Sequence, residues 1–200
     1  MHIFFNALMI LLVIIDPVLS AVVFTGLTSR YNKKKLLITA VKATLVAFGV
    51  MMLFAVGGGF LINVFGISLS AFRIAGGLLL FSTTFKMLFG DNDPDIESSK
   101  PSDKHDIAVF PIAIPLLAGP GCMTAIILLV SQTKTITDSI MVLSAIAVSN
   151  VVVLICLLMA SKIKMIFGKG GINIITRVLG VLLAAMSVQF IIDGILGLIR

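Results

Sequence analysis

The sequence predicts an all-α membrane protein, with six transmembrane helices in two inverted three-helix repeats and breaks in helices one and four. The first reason is composition: 59% of the residues are hydrophobic and only 12% are charged, which excludes an ordinary soluble domain. The second is the presence of six apolar stretches of about 20 residues or more, the length that crosses a bilayer. The third is a set of motifs, including a proline break, that recurs in both halves of the chain.

The six predicted spans leave only short connectors, so we expect one membrane domain and no separate soluble one. The spans cover residues 3–27, 36–63, 69–89, 107–130, 140–160 and 174–199. The first repeat is then about residues 1–90, a polar loop fills about residues 91–106, and the second repeat is about residues 107–200. The first span lacks the basic leading segment and cleavage site of a signal peptide, and we expect it to be retained.

Span one is interrupted by Asp16-Pro17. Pro17 suits the first position of a new helix, and Asp16 suits the N-cap, where its carboxylate accepts from free backbone amides. About 13 residues of helix would place Asp16 about 20 Å into a hydrocarbon core about 30 Å thick. A carboxylate at that depth costs at least about 2.5 kcal/mol and is by default a hypothesis of function. The alternative is a purely structural cap, and the two roles are compatible.

Span four has the stronger break, because Pro111, Pro115 and Pro120 each remove a backbone donor and clash with the preceding turn. Lipid offers no replacement hydrogen bonds, so such a break must be covered by protein or line a water-filled cavity. The sequence therefore predicts a broken helix that lines a site.

The stretch that follows is predicted to begin a second half-helix whose first amides are free. Its candidate binding residues are Gly119, Pro120, Gly121, Cys122 and Thr124. A helix N-terminus favours an anionic group such as a carboxylate. The alternative is a close helix crossing that requires small residues.

Basic residues predict the orientation of the chain. Connectors one, three and five contain most of the loop Lys and Arg, whereas connectors two and four contain little. Since Lys and Arg mark cytoplasmic loops, we expect these three connectors in the cytoplasm and both termini outside. The net charge of +6 is explained by this bias, and we expect no nucleic-acid binding.

An internal repeat relates spans three and six. The matching pairs, all at one constant offset, are Arg73 with Arg177, Gly76 with Gly180, and Gly90 with Gly194. Pro17 and Pro120 recur at nearly the same offset. Because each unit has three spans, the second must enter the membrane from the opposite side. An inverted repeat of this kind, with discontinuous helices near the midplane, is typical of secondary transporters.

Several stretches carry a family resemblance. The most specific is residues 109–121, and the others are Asp16-Pro17 with residues 25–28, residues 72–80, residues 176–180 and residues 189–194. Together they make essentially the whole chain similar to the MarC family of integral membrane proteins. One departure is Val18-Leu-Ser20, where many relatives have a glycine and another proline, so we expect a milder first break here.

The resemblance implies a function as well as a fold. The family was named for an association with multiple antibiotic resistance, and it is grouped with lysine-exporter-like carriers. Some members are similar to transporters of small neutral amino acids such as alanine and glycine. The resemblance therefore implies a secondary transporter in the bacterial or archaeal cytoplasmic membrane.

Other polar residues in the spans have structural interpretations. Ser and Thr in membrane helices usually bond to their own backbone, and we expect this of Thr25, Thr28, Thr124 and Ser131. Asn6, Asn63 and Asn150 are expected to form interhelical hydrogen bonds. Lys42 could extend to the interface or pair with Asp16, and both alternatives stay open.

The leading hypothesis is secondary transport of a small zwitterionic solute, a neutral amino acid. The half-helix ends would bind its carboxylate, and Asp16 would bind its ammonium. The sequence contains no nucleotide-binding motif, so we expect that ATP is not the direct energy source, and we expect no cofactor; coupling to protons or sodium and a homo-oligomer both stay open. The alternative is an exporter of hydrophobic or antibiotic-like compounds. An enzyme or redox carrier is disfavoured, since Cys122 and Cys156 lack the spacing of a redox or zinc motif.

Overall fold

The computed structural model describes residues 2–29, 31–89 and 106–199, without the side chains of Lys86, Pro111, Pro115, Lys164 and Lys169. The described residues are almost entirely helical and include no β-strand. The predicted all-α membrane class is therefore confirmed. The predicted polar loop lies outside the described residues, apart from Asp106.

Seven helices and one irregular segment follow one another along the described chain. They are α1 His2–Ile15, α2 Pro17–Leu27, α3 Lys33–Val64, α4 Leu69–Phe89, the irregular segment Ala108–Leu117, α5 Pro120–Ser131, α6 Ile136–Leu158 and α7 Ala160–Ile199. We call Ala108–Leu117 the broken segment. Within α7, Gly168 has a positive φ of 57°, which separates a short amphipathic start from the long apolar part.

Five stretches of the described chain are long and apolar enough to cross a membrane. They are His2–Leu27, Lys33–Val64, Leu69–Phe89, Ile136–Leu158 and Gly170–Ile199. These match predicted spans one, two, three, five and six, with ends that differ by at most four residues. In place of the fourth predicted span, the broken segment is followed by the short apolar helix α5. Six crossings and an inverted repeat stay predictions.

The main core lies between the two halves of the chain. One buried apolar cluster joins α1, α2, α3, the broken segment, α5 and α6. On α3 its members include Ala40, Ala43 and Ala47, whose small side chains recur on one helix face and allow neighbouring helices to approach closely. Large apolar side chains such as Val56 and Phe60 point outward from the same helix, as expected of a surface that faces lipid.

Contacts between the halves follow a regular pattern. α1 and α2 pack on α6, and correspondingly the broken segment and α5 pack on α3. α2 packs on α7, as α5 packs on α4, and two contacts join equivalent helices: α3 with α6 and α4 with α7. If α1, α2, α3 and α4 are exchanged with the broken segment, α5, α6 and α7, each of these contacts becomes a contact that is also observed. A two-fold relation between the halves, which the inverted-repeat prediction requires, would produce this pairing.

α4 and α7 pack closely and run antiparallel. Gly77 of α4 faces Ser187 of α7, while Gly194 near the end of α7 faces Ser70 near the start of α4. A Cβ on Gly77 would lie 2.7 Å from the Ser187 carbonyl oxygen, and one on Gly194 would lie 2.8 Å from the Ser70 carbonyl oxygen. Glycine at both positions therefore permits direct contact between the two backbones.

Candidate functional site

The first break is built around Asp16. Its backbone has φ 44° and ψ 78°, in the left-handed region, and it is the only non-glycine residue of the described chain with a positive φ. Asp16 Oδ1 accepts from Leu19 N at 3.1 Å, which confirms the predicted N-cap of α2, and Pro17 is buried as the first residue of that helix.

The second oxygen of the same carboxylate is unusual. Asp16 is only 3% exposed, and its Oδ2 has no hydrogen-bond partner among the residues that the structure describes. A buried acceptor without a partner costs free energy, and a non-glycine residue in the left-handed region costs about 1–3 kcal/mol more. Helix capping alone does not explain why a carboxylate occupies this position, since an uncharged cap would do the same.

Ser20 satisfies one carbonyl that the first break releases. Its Oγ donates to Ile15 O at 3.0 Å, and its backbone N donates to Asp16 O at 2.9 Å. Ser20 belongs to the Val18-Leu-Ser20 stretch that departs from the family pattern. Ser20 was not among the predicted site residues. The signal that could have identified it is a hydroxyl one turn after a predicted cap.

The second break involves more of the backbone. Phe110 (φ −128°, ψ 126°) and Ile114 (φ −130°, ψ 122°) are extended, because a following proline disfavours the helical conformation. Gly119 is also extended before its proline, with φ −76° and ψ 168°. A wide turn closes the segment, in which Ala118 N donates to Ala113 O at 2.9 Å. The predicted break is therefore confirmed.

Within the described part of the chain, no side chain caps the N-terminus of α5. Gly119 is partly exposed and Pro120 exposed, whereas Gly121 and Cys122 in the first turn are buried. The first amides of a helix have no partner within the helix. Here they are left without a side-chain acceptor, and an anionic group is what such a terminus attracts.

Two of the predicted site residues face α4. A Cβ on Gly121 would lie 2.5 Å from Leu80 Cδ2, and one on Gly76 would lie 1.9 Å from Thr124 Cγ2. Thr124 Oγ1 donates to Pro120 O at 2.9 Å. These contacts favour the close-packing interpretation of Gly121 and Thr124.

Both breaks lie in one buried core. Ile15, immediately before the first break, and Leu117, Ala118 and Cys122, around the second, belong to the same apolar cluster. α1 packs on α5, and α2 packs on the broken segment. The structure therefore brings the region of Asp16 and the start of α5 into one interior.

Three other hydroxyl groups in the spans also bond to their own helices. Thr25, Thr28 and Ser131 donate to backbone carbonyls three or four residues earlier, at 2.7–2.9 Å. This confirms the structural interpretation of these residues. These bonds give no support to a polar path through the protein.

Lys42 pairs with Asp106 at the start of the broken segment. Lys42 Nζ forms an ion pair with Asp106 Oδ2, and Asp106 Oδ1 accepts from Ala108 N at 3.0 Å. The hydrogen bond from Lys42, followed by that from Ala108, holds the pKa of Asp106 below its ordinary value. Both side chains are about half exposed, so the pair contributes at most about 1 kcal/mol. Lys42 therefore pairs with Asp106 and not with Asp16.

Two further buried side-chain atoms in the described residues lack a hydrogen-bond partner, Asn150 Oδ1 and Thr176 Oγ1. Asn150 Nδ2 donates to Ile146 O at 3.0 Å and contacts Met51 Sδ of α3 at 3.2 Å. The contact with Met51 confirms the predicted interhelical role of Asn150, although no local pattern indicates that its oxygen is unpaired. Asn6 and Asn63, for which the same role was predicted, are exposed instead. Among the described residues, no cluster of three or more His, Cys, Asp and Glu side chains could hold a metal ion.

Comparison with known proteins agrees with the membrane fold. The chain matches the MarC family integral membrane protein over residues 1–199. It is 34% identical to a UPF0056 membrane protein of Aquifex aeolicus, over 98% of this chain and 94% of the relative. It is 37% identical to a UPF0056 membrane protein of Methanocaldococcus jannaschii, over 92% and 91%. It is also 34% identical to the UPF0056 inner membrane protein MarC of Escherichia coli, over 96% and 94%.

No solved structure matches the chain. The family match spans nearly every residue, and the relatives are similar over almost their full length. The predicted resemblance is confirmed, and the chain belongs to the MarC family of multi-pass integral membrane proteins.

Proposed function

We propose that the chain is a secondary transporter of small solutes, with neutral amino acids such as alanine and glycine as substrates. The observation that carries the proposal is Asp16, a carboxylate 3% exposed at a helix break whose Oδ2 has no partner. Such an oxygen, away from water, costs several kcal/mol unless a donor arrives. The ammonium group of an amino acid supplies that donor and the opposite charge.

The N-terminus of α5 supports binding of the other end of the same molecule. Its first-turn amides at Gly121 and Cys122 have no side-chain cap, and a carboxylate satisfies such amides. The packing of α1 on α5 and the shared apolar cluster place the two breaks in one interior. Leu117, Ala118 and Cys122 are buried around the second break, and this apolar surrounding favours a solute with a small side chain.

We also propose that an ion gradient supplies the energy and that both termini lie outside the cytoplasmic membrane. The sequence contains no nucleotide-binding motif, so a proton or sodium gradient drives transport, with Asp16 as the candidate proton carrier. The exchange of contacts between the halves supports an inverted repeat, in which one half rocks against the other around a central site. The name of the Escherichia coli relative, an inner membrane protein, supports the cytoplasmic membrane, and the Lys and Arg bias supports external termini.

Uptake into proteoliposomes tests the proposal. Purified protein should take up radiolabelled alanine and glycine with saturation, and Asp16→Asn should abolish most of this uptake without loss of membrane insertion. A panel of hydrophobic, antibiotic-like compounds is the comparison. Transport of those compounds with no uptake of either amino acid would overturn the proposal in favour of the exporter alternative.

A further inference from the structure

Asn150 presents a second unpaired acceptor in the protein interior. The residue is 6% exposed, and its Oδ1 has no hydrogen-bond partner. The amide nitrogen contacts Met51 Sδ and donates to Ile146 O, so the carbonyl points away from these two groups. A buried amide oxygen without a donor costs about 1–3 kcal/mol, and the unpaired Asp16 Oδ2 is unfavourable for the same reason.

Asn150 and Asp16 lie at the same depth in the proposed six-span topology. The 14 residues of α1 precede Asp16, and residues 136–149 of α6, the same number, precede Asn150. At a rise of about 1.5 Å per residue, each lies about 21 Å along its span. Spans one and five of an alternating chain run in the same direction, and α6 packs on both α1 and α2. The proposed topology therefore places Asn150 at the level of the first break, on a helix that packs on both α1 and α2.

The surroundings of Asn150 also connect it to the second break. Asn150 lies on the buried face of α6, between Ile146 and Val153, which share an apolar cluster with Ile15. Met51, its contact on α3, belongs to the same cluster, and α3 packs on the broken segment and on α5. Asn150 thus belongs to a helix that packs on both sides of the first break, and it contacts a helix that packs on both sides of the second.

We propose that Asn150 Oδ1 is the second acceptor, together with Asp16 Oδ2, for the ammonium group of the transported solute. An ammonium group has three N–H donors and no acceptor, so one such group can satisfy both unpaired oxygens. This assignment rests on the proposed function and adds to it that the site selects primary amines. A tertiary ammonium group has one N–H and can satisfy only one of the two oxygens.

Competition experiments in proteoliposomes test this selectivity. In the wild-type protein, alanine should inhibit uptake of radiolabelled alanine at least about tenfold better than N,N-dimethylalanine, a difference equivalent to about 1.4 kcal/mol. Asn150→Leu, which keeps the size of the side chain, should raise the KM for alanine at least about tenfold with little change in the maximal rate. The preference for alanine over N,N-dimethylalanine should then nearly disappear.

Asn63→Leu is the matched control, because it makes the same change at an exposed position near the end of α3, and it should leave both quantities unchanged. If Asn150→Leu does not insert, Asn150→Ala replaces it with the same expectation. An Asn150 variant that keeps the wild-type KM and preference, or that loses rate without a change in preference, would overturn the proposal. So would a variant that alters only the dependence on sodium.

These experiments distinguish failure of the proposed function from failure of the role of Asn150. If the wild-type protein transports neither alanine nor glycine, the proposed function fails and the role of Asn150 fails with it. If the wild-type protein transports alanine and Asp16→Asn abolishes uptake, but Asn150→Leu behaves as wild type, only the role of Asn150 fails.

Discussion

Replacing Asp16 by Asn should separate transport from folding. Asn keeps an oxygen that can accept from Leu19 N, and it tolerates the left-handed conformation observed at this position. The cap should therefore weaken by no more than about 1 kcal/mol. The substitution also removes a carboxylate whose placement within a bilayer costs about 2.5–3.5 kcal/mol. We expect Asp16→Asn to melt at the wild-type temperature or above it.

Transport by the same variant should fall steeply. Asp16 Oδ2 has no partner in the described protein, and Asn keeps the acceptor that Oδ1 offers to Leu19 N. A hydrogen bond between an ammonium donor and a charged acceptor is worth about 1.5–3 kcal/mol, or about 10- to 150-fold in affinity. Asp16→Ala should lose transport to the same extent and be less stable than Asp16→Asn, because Ala offers no cap and is strained by about 1–2 kcal/mol in the left-handed region.

Alanine uptake at limiting concentration and thermal melting in detergent should be measured together. Asp193→Asn is the matched control: it makes the same change of charge at a carboxylate near the end of α7, which accepts from Gln189 Nε2 at 2.7 Å. This control should transport normally. A well-inserted Asp16→Asn protein with wild-type uptake would show that Asp16 does not bind the solute and would leave it as a structural cap.

Four further predictions concern other parts of the molecule. Gly77→Ala should destabilise the protein by about 1–3 kcal/mol in thermal melting, because its Cβ would lie 2.7 Å from Ser187 O, whereas Gly59→Ala, with nothing within 4 Å, should not destabilise it. Asp106→Asn should cost at most about 1 kcal/mol at neutral pH. Because the folded-state pKa of Asp106 is lowered, this stabilisation is present above its ordinary value of 3.8 and is lost as the pH falls through the lower folded-state pKa; a difference that persisted in stronger acid would contradict the ion-pair explanation. In a background without Cys122 and Cys156, cysteines at positions 34 and 98 should resist a membrane-impermeant thiol reagent in intact cells and one at position 135 should react; reaction at position 98 would reverse the predicted orientation. Gly119→Asp should cap α5, which improves on glycine by only a few tenths of a kcal/mol, and should reduce alanine uptake, because the added carboxylate competes for the amides; unchanged uptake in a well-inserted variant would argue against a carboxylate site there.

The breaks were predictable because proline chemistry is local. A proline restricts the residue before it whatever the rest of the fold does, and this accounts for the extended conformations of Phe110, Ile114 and Gly119. The cap at Asp16 was predictable for the same reason. Its left-handed backbone was not, because the pattern Asp-Pro fits an ordinary extended cap equally well.

Partners distant in the sequence were beyond local reasoning. Lys42 pairs with Asp106 across 64 positions of the chain, and the choice between Asp106 and Asp16 depends on how α3 meets the broken segment. The unpaired oxygen of Asn150 is of the same kind, since it depends on the positions of Met51 and Ile146. The sequence indicates that these side chains are polar, but only the packing decides which of their atoms remain without a partner.

The two breaks differ chemically, and this difference gives the proposed site its polarity. Asp16 and Gly119 hold the same place before Pro17 and Pro120, yet one is a buried carboxylate and the other a glycine that leaves amides uncapped. Two acidic breaks would repel the carboxylate of an amino acid, and two uncapped amide ends would offer nothing to its ammonium group. One break of each kind gives a negative and a positive end in a single interior. A zwitterion is the solute that such an arrangement fits, because it satisfies both ends at once and carries no net charge into the membrane.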